Sequence, residues 1–148
     1  MKRMGWVLLL LVVAPTLHAL DVAVGSSFKI LEIVRSDGKI SLPVERDKYY
    51  NVRILNKETF DFVQTCTEPC VQNLSDVIPS LQELRPAKTR ENMWLATVNF
   101  KNAWLVTFLV FKRGDSYSVK PSENFVFLDN VLQTQTRNII LQAVEKMK

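Results

Sequence analysis

The stretch from residue 103 to residue 112 constrains the fold of this chain more than any other, because it is apolar on both sides of an extended backbone. Alternate side chains of a strand point to opposite faces of the sheet. Both faces here carry large apolar side chains: Trp104, Val106, Phe108 and Val110 on one, and Leu105, Leu109 and Phe111 on the other. Such a strand is typical of the middle of a sheet that is covered on both sides. We therefore predict a core built around a central strand at 103–112.

Other stretches with the alternation of strands surround this one. A hairpin is predicted between 93–100 and 103–112 across Lys101-Asn102, and Asp37-Gly38 is the strongest turn signal in the chain. Pro43 indicates that the strand after Gly38 lies at a sheet edge. The remaining predicted strands are 28–35, 40–44, 49–55, 59–63, 117–119 and 125–128.

Two segments have the apolar spacing of helices. Residues 75–84 are predicted to contain a short helix that begins near Pro79, since proline is well tolerated in a first helical turn. Residues 130–147 carry an apolar stripe, and Asp129 or Asn130 can cap that helix. The predicted fold class is α+β: an antiparallel sheet of about six or seven strands, a short middle helix near Cys70, and a C-terminal amphipathic helix packed on one face.

Residues 1–19 have the order of regions found in a secretory signal peptide. Lys2 and Arg3 are positive, residues 6–13 are apolar, Pro15 interrupts the run, and Ala19 is a small residue at the expected cleavage point. The apolar run is about half of the roughly 20 residues that span a bilayer as a helix. We expect residues 1–19 to be removed and residues 20–148 to form one domain without a transmembrane segment. The expected location is periplasmic or secreted.

Loss of this segment changes both the charge and the chemistry of the chain. The full sequence has a formal net charge of +4, and removal of Lys2 and Arg3 lowers it to +2 (17 basic and 15 acidic residues), so the remaining domain is only weakly basic and nucleic acid is not expected as a partner. The only histidine, His18, also lies in the segment. Without it the chain lacks the usual base of Ser-His-Asp and Cys-His sites and the commonest zinc ligand. No enzyme activity, cofactor or metal is therefore expected.

The two cysteines, Cys66 and Cys70, lie four positions apart with Pro69 between them. An oxidising compartment favours a disulfide that closes this short turn. A redox role is the weaker interpretation, because the spacing is not that of Cys-x-x-Cys oxidoreductases. A metal site is weaker still, because two thiolates alone leave a metal under-coordinated.

The charged residues give candidate contacts with a partner. Glu68 lies inside the turn closed by the cysteines, and Arg85, Lys88 and Arg90 form a basic cluster in a segment predicted as a loop. These four residues are the predicted partner contacts. Lys112-Arg113 is a second basic cluster, interpreted as solvated, with contact to an acidic partner surface as the alternative. The Arg113-Gly114-Asp115 tripeptide is interpreted as ordinary turn chemistry, and the carboxylate pairs Glu45/Asp47 and Glu58/Asp61 as solvated charges.

Export and the missing histidine together favour binding over catalysis. The chain is predicted to be a non-catalytic periplasmic binding or accessory protein. The most specific version of this prediction is a subunit of an envelope secretion or conjugation assembly. The expected partner is another envelope or secreted protein. Two alternatives stay open: a secreted inhibitor or immunity protein that uses the disulfide-closed turn, and a carrier of a small hydrophobic ligand.

Overall fold

The computed structural model describes residues 18–42, 51–88 and 90–147, and in these residues the chain has a mixed α+β fold. Most of the predicted signal peptide lies outside the described residues, as do Pro43, Glu45 and Asp47. The strands are β1 (His18–Val24), β2 (Phe28–Ser36), β3 (Lys39–Ser41), β4 (Val52–Ile54), β5 (Cys70–Gln72), β6 (Pro79–Pro86), β7 (Met93–Phe100), β8 (Trp104–Arg113), β9 (Ser116–Pro121) and β10 (Phe125–Phe127), and the helices are α1 (Lys57–Thr65) and α2 (Asn130–Lys146).

The first sheet contains β10, β2, β1 and β5 in that order, with β3 also paired to β2. The β2–β3 hairpin turns at Asp37-Gly38 as predicted, and Gly38 has a φ of 71° that glycine adopts readily. β5 runs parallel to β1, while the other pairs of this sheet are antiparallel. β1 is an additional strand, which the alternation of Leu20, Val22 and Val24 could have indicated.

The second sheet contains β4, β8, β7 and β6 in that order, with β9 also paired to β8, and every pair is antiparallel. The predicted hairpin between β7 and β8 is confirmed, but its loop has three residues, 101–103, rather than the predicted two, with Phe100 opposite Trp104 and Met93 opposite Phe111. β8 has β7 on one side and β4 and β9 on the other. It therefore occupies the middle of its sheet, as its apolar character predicted.

Aromatic side chains from both sheets fill the space between them. Phe28 of the first sheet lies 5.0 Å from Phe100 of the second, measured between ring centroids. Phe125 lies 5.0 Å from Phe28 and 5.7 Å from Phe108, so it also contacts both sheets. Full burial of one such side chain stabilises a fold by about 1.5–3 kcal/mol. These rings hold the two sheets together.

The two helices are capped by side chains and pack at different places. The side chain of Asn56 accepts a 2.8 Å hydrogen bond from the backbone N–H of Thr59 at the start of α1, and Asp129 accepts one of 2.8 Å from Val131 at the start of α2. α1 contacts β2, β3 and β4, whereas α2 contacts β6 and β10. The C-terminal helix and its cap at Asp129 are therefore confirmed.

The prediction of a helix within 75–84 is wrong, because this stretch contains most of β6. Leu81 pairs with Val98 and Leu84 with Ala96, and the register shifts between Leu81 and Glu83. This shift is a β-bulge, which adds one residue to the strand. Residues three apart therefore face the same side, which is the spacing that resembled a helix.

The prediction of a strand at 59–63 is also wrong, because these residues form the middle of α1. The middle helix thus precedes Cys66, whereas the prediction placed it beyond Cys70. The cap at Asn56 explains the difference, because it satisfies a backbone donor that a helix start leaves free. The prediction of a single sheet of six or seven strands is corrected as well, since the described strands form two sheets of five.

Candidate functional site

The predicted disulfide is present in the structure. Cys66 and Cys70 are joined by a 2.09 Å sulfur–sulfur bond, which ties the end of α1 to the first residue of β5. The Arg35 guanidinium donates hydrogen bonds of 2.7 Å to the Cys66 carbonyl and 3.1 Å to the Val63 carbonyl. A cation is favourable here because carbonyls at a helix C-terminus lack partners and carry partial negative charge.

Removal of this disulfide is expected to destabilise the domain. Replacing Cys66 and Cys70 together by serine should lower the free energy of unfolding by about 2 kcal/mol, because a short loop in the unfolded chain regains its freedom. Urea unfolding followed by tryptophan fluorescence measures this change. Reductant should produce the same loss in the wild type and leave the double variant unaffected. A wild-type midpoint that ignores reductant would contradict the prediction.

The four predicted partner contacts do not share one site. Glu68 lines a depression of about 570 Å³ between β1 and the disulfide-closed turn. Lys88 and Arg90 line another of about 340 Å³ at the β6–β7 connection, and Arg85 lines a third of about 120 Å³ on the outer side of the second sheet. The four predicted contacts thus lie on three different surfaces. Arg85 lies on a face of the second sheet that was not predicted from the sequence to be a contact surface.

This face is the side of the second sheet that points away from the aromatic core. In β7 and β8 the inward side chains Ala96, Val98, Phe108 and Val110 are 0 % exposed. Their neighbours in sequence point outward and pair across the two strands, with Met93 opposite Phe111 and Leu95 opposite Leu109. These outward side chains are only half-buried. We call this surface the open face and define it by Met93, Leu95, Leu109 and Phe111 with the flanking residues Arg85 and Lys120.

Among the described residues, Leu132, Ile140 and Val144 of α2 share the core cluster with the inner side chains of β7 and β8. The expectation that both faces of the central strand are covered is met on this inner side, whereas Leu109 and Phe111 on the outer side are half-buried and lie outside that cluster. Leu105, farther along the outer side, is 8 % exposed, whereas Leu109 and Phe111 keep appreciable contact with solvent. The open face is consequently an apolar surface at the centre of a sheet.

Two cations flank the apolar centre of the open face. Arg85 on β6 pairs with Leu95, and Lys120 on β9 pairs with Leu109, so one row across four strands reads Arg–Leu–Leu–Lys. The Lys120 ammonium lies 5.8 Å from the centroid of the Phe111 ring, within the range of a cation–π interaction. The Leu95–Leu109 row thus has positive charge at both ends, and Glu83, two residues from Arg85 on the same side of β6, lies opposite Thr97 in the next row.

A signal for this face was present in the sequence. The alternation of β8 already places Leu105, Leu109 and Phe111 on one side of the strand. The predicted two-residue turn at Lys101-Asn102 would pair Phe100 with Ala103, whereas the loop has three residues and brings Met93 opposite Phe111, so the cross-strand pairs of this face were not predicted. What the sequence could not indicate is how far these outer side chains are buried, because this depends on where distant strands and helices pack.

The described residues contain no cluster of three or more His, Cys, Asp or Glu side chains that could hold a metal ion. No helix in the same residues is long and apolar enough to cross a membrane. Comparison of the chain with protein-family models, curated proteins and solved structures finds no match. The open face and the depression at the disulfide therefore have to be interpreted from their own geometry.

Proposed function

We propose that this chain is an exported, non-catalytic accessory protein of the cell envelope that acts by binding another protein. In its most specific form the proposal makes it a subunit of an envelope assembly for secretion or conjugation. The observation that carries the proposal is the open face, whose four apolar side chains stay half-buried in the middle of a sheet. Contiguous apolar surface with a polar border is a mark of protein interaction sites.

The open face is suited to binding because its backbone is already ordered. β7 is paired on both sides, by β6 and β8, and β8 is paired by β7 and by β4 and β9. The inner sides of the same strands are fully buried among the core side chains. Binding therefore requires little further ordering of the backbone, which reduces the entropic cost of association.

The alternative of a hydrophobic-ligand carrier has less support. A carrier needs an enclosed cavity, and the space between the sheets is occupied by aromatic rings such as Phe28 and Phe125, 5.0 Å apart. The alternative of an inhibitor that uses the disulfide-closed turn is favoured by one observation. Val71 next to Cys70 is 46 % exposed and lines the 570 Å³ depression with Glu68.

Site-specific photo-crosslinking in the source cell separates these proposals. A benzophenone amino acid at position 109 is expected to give a covalent adduct with one envelope protein, identified by mass spectrometry, because Leu109 lies at the centre of the open face. The same probe at position 71 tests the disulfide-closed turn. The exposed residue Lys39 on β3 provides the control position.

An adduct from position 109 that is absent from position 39 supports binding through the open face. An adduct from position 71 alone would move the interface to the disulfide-closed turn and favour the inhibitor alternative. Equal labelling from all three positions would contradict a specific partner surface.

The export part of the proposal has a structural consequence. Ala19, the expected last residue of the signal peptide, lies inside β1 and pairs with Val34 of β2. A protease needs an extended, accessible chain, so the proposed cleavage has to precede the pairing of β1 with β2. The domain would then begin at Leu20, whose side chain is 2 % exposed in the core.

A further inference from the structure

We infer that the open face binds an amphipathic α-helix of the partner whose apolar stripe is bordered on both sides by carboxylates. This inference rests on the proposed function and names the chemistry of the partner segment. Four features support it: the distance between the two cations, the length of the apolar surface along the strands, the pairing of those strands, and the sign of the charge.

The width of the apolar centre matches a helix. Arg85, Leu95, Leu109 and Lys120 occupy one row on four adjacent strands. Three strand spacings of 4.7–4.9 Å separate the backbones of Arg85 and Lys120 by about 14 Å. An α-helix with its side chains is about 10–12 Å across. One helix therefore fits between the two cations, whereas a covering sheet of several strands would have to bury them.

The length of the surface suits a helix of a few turns. Along the strands, the Met93–Phe111 pair is followed by Leu95–Leu109 and then by Thr97–Thr107. Each step advances by two residues, about 6.7 Å, and two steps cover about 13 Å. A helix rises 5.4 Å per turn, so about three turns placed along β7 and β8 contact all three pairs.

The pairing of the strands excludes recognition by an added strand at this place. Strand addition needs a sheet edge whose backbone groups are free to bond. β7 and β8 both have strand neighbours on each side. Contacts at the open face must therefore be made by side chains, as they are when a helix lies on a sheet.

The positive charges of Arg85 and Lys120 favour a partner segment with negative charges at matching positions. A second copy of this chain placed with its Leu95–Leu109 row on the same row of the first would bring Arg85 and Lys120 against cations, and like charges across an interface disfavour association. Carboxylates on both borders of an apolar stripe meet Arg85 on one side and Lys120 on the other. Complementary charges of this kind determine which partner binds and in which orientation.

A pair of synthetic peptides tests the inference on the full chain. Both form a helix of about four turns with the same leucine stripe, spaced i, i+3, i+4, i+7. One peptide has glutamate at the border positions and the other has lysine. Fluorescence anisotropy with labelled peptide measures binding at low ionic strength. We expect the glutamate-bordered peptide to bind at least tenfold more tightly to the wild type.

Reversing the charge of the two cations is a more decisive test than comparing the two peptides on the wild type. The double variant Arg85→Glu/Lys120→Glu is expected to prefer the lysine-bordered peptide by at least tenfold. Lys39→Glu/Lys146→Glu is the matched control, because it makes the same change of charge at exposed positions outside the open face. This control should keep the wild-type preference. If the charge-reversed variant fails to fold, Arg85→Gln/Lys120→Gln should remove the preference without reversing it.

Absence of glutamate-bordered peptide binding, equal binding of both peptides, or an unchanged preference in the charge-reversed variant overturns the inference. These outcomes leave the photo-crosslink from position 109 untouched, so a failure of the helix model is distinguishable from a failure of the proposed function. A lost crosslink together with intact peptide preference would instead count against the proposed function alone.

Discussion

Phe125→Ala is expected to lower the free energy of unfolding by about 3–5 kcal/mol. The ring of Phe125 lies 5.0 Å from Phe28 in the first sheet and 6.0 Å from Phe100 and 5.7 Å from Phe108 in the second. It is 3 % exposed. Its truncation therefore leaves a cavity where the two sheets meet, and the lost contacts add to the lost burial.

The next residue provides the matched control. Val126 lies on the same strand but points outward and is 42 % exposed, so Val126→Ala should cost less than about 1 kcal/mol. Urea unfolding of both variants, followed by circular dichroism and by tryptophan fluorescence, measures the difference. Equal losses in the two variants would show that the aromatic cluster does not hold the sheets together.

Gln72→Leu is expected to cost about 2–4 kcal/mol, because it breaks a buried chain of hydrogen bonds that joins three elements. The Trp104 indole N–H on β8 donates to the Gln72 side-chain oxygen at 2.8 Å. The Gln72 side-chain nitrogen in turn donates to the Thr59 hydroxyl of α1 at 3.0 Å. All three residues are buried. Leucine keeps a similar volume but leaves the indole N–H of Trp104 without its acceptor.

The same substitution at an exposed glutamine is the control, because it makes the same chemical change without breaking a buried hydrogen bond. Gln82 on β6 is exposed, so Gln82→Leu should change stability by less than about 0.5 kcal/mol. A double-mutant cycle with Trp104→Phe gives the coupling energy. The loss in the double variant should be smaller than the sum of the single losses, because the unpaired indole donor is then absent. Additive losses would contradict the assignment of this hydrogen bond.

Both predictions concern the packing of the core, and the proposed binding depends on that packing. Phe108 and Val110 on the inner side of β8 belong to the core, while Leu109 and Phe111 on its outer side form the open face. The core fixes the backbone of β8, and the backbone fixes the outer side chains. Variants that loosen the core are therefore expected to weaken peptide binding as well, which is why the binding tests use substitutions confined to the outer side.

The errors in the sequence-based predictions have specific physical causes. A β-bulge between Leu81 and Glu83 placed Leu81 and Leu84 on one side of β6 and so produced an apparent helical spacing. At residues 59–63 the cap from Asn56 outweighed the strand-like composition. The partner contacts predicted at Glu68, Lys88 and Arg90 stay predictions. Glu68 lines a depression separate from the open face, whereas Lys88 and Arg90 line one to which Met93 of the open face also belongs.

The sequence by itself determined the features that depend on neighbouring residues. The β7–β8 hairpin, the helix that begins after Asp129 and the Cys66–Cys70 disulfide all follow from short-range spacing, turn residues and alternation. Tertiary structure alone decided which apolar surface stays open. Leu105, Leu109 and Phe111 are equally apolar in sequence, and their different exposure comes from pairing and packing between distant segments. Local periodicity carries no information about that packing, so the open face became visible only when both sheets and both helices were in place.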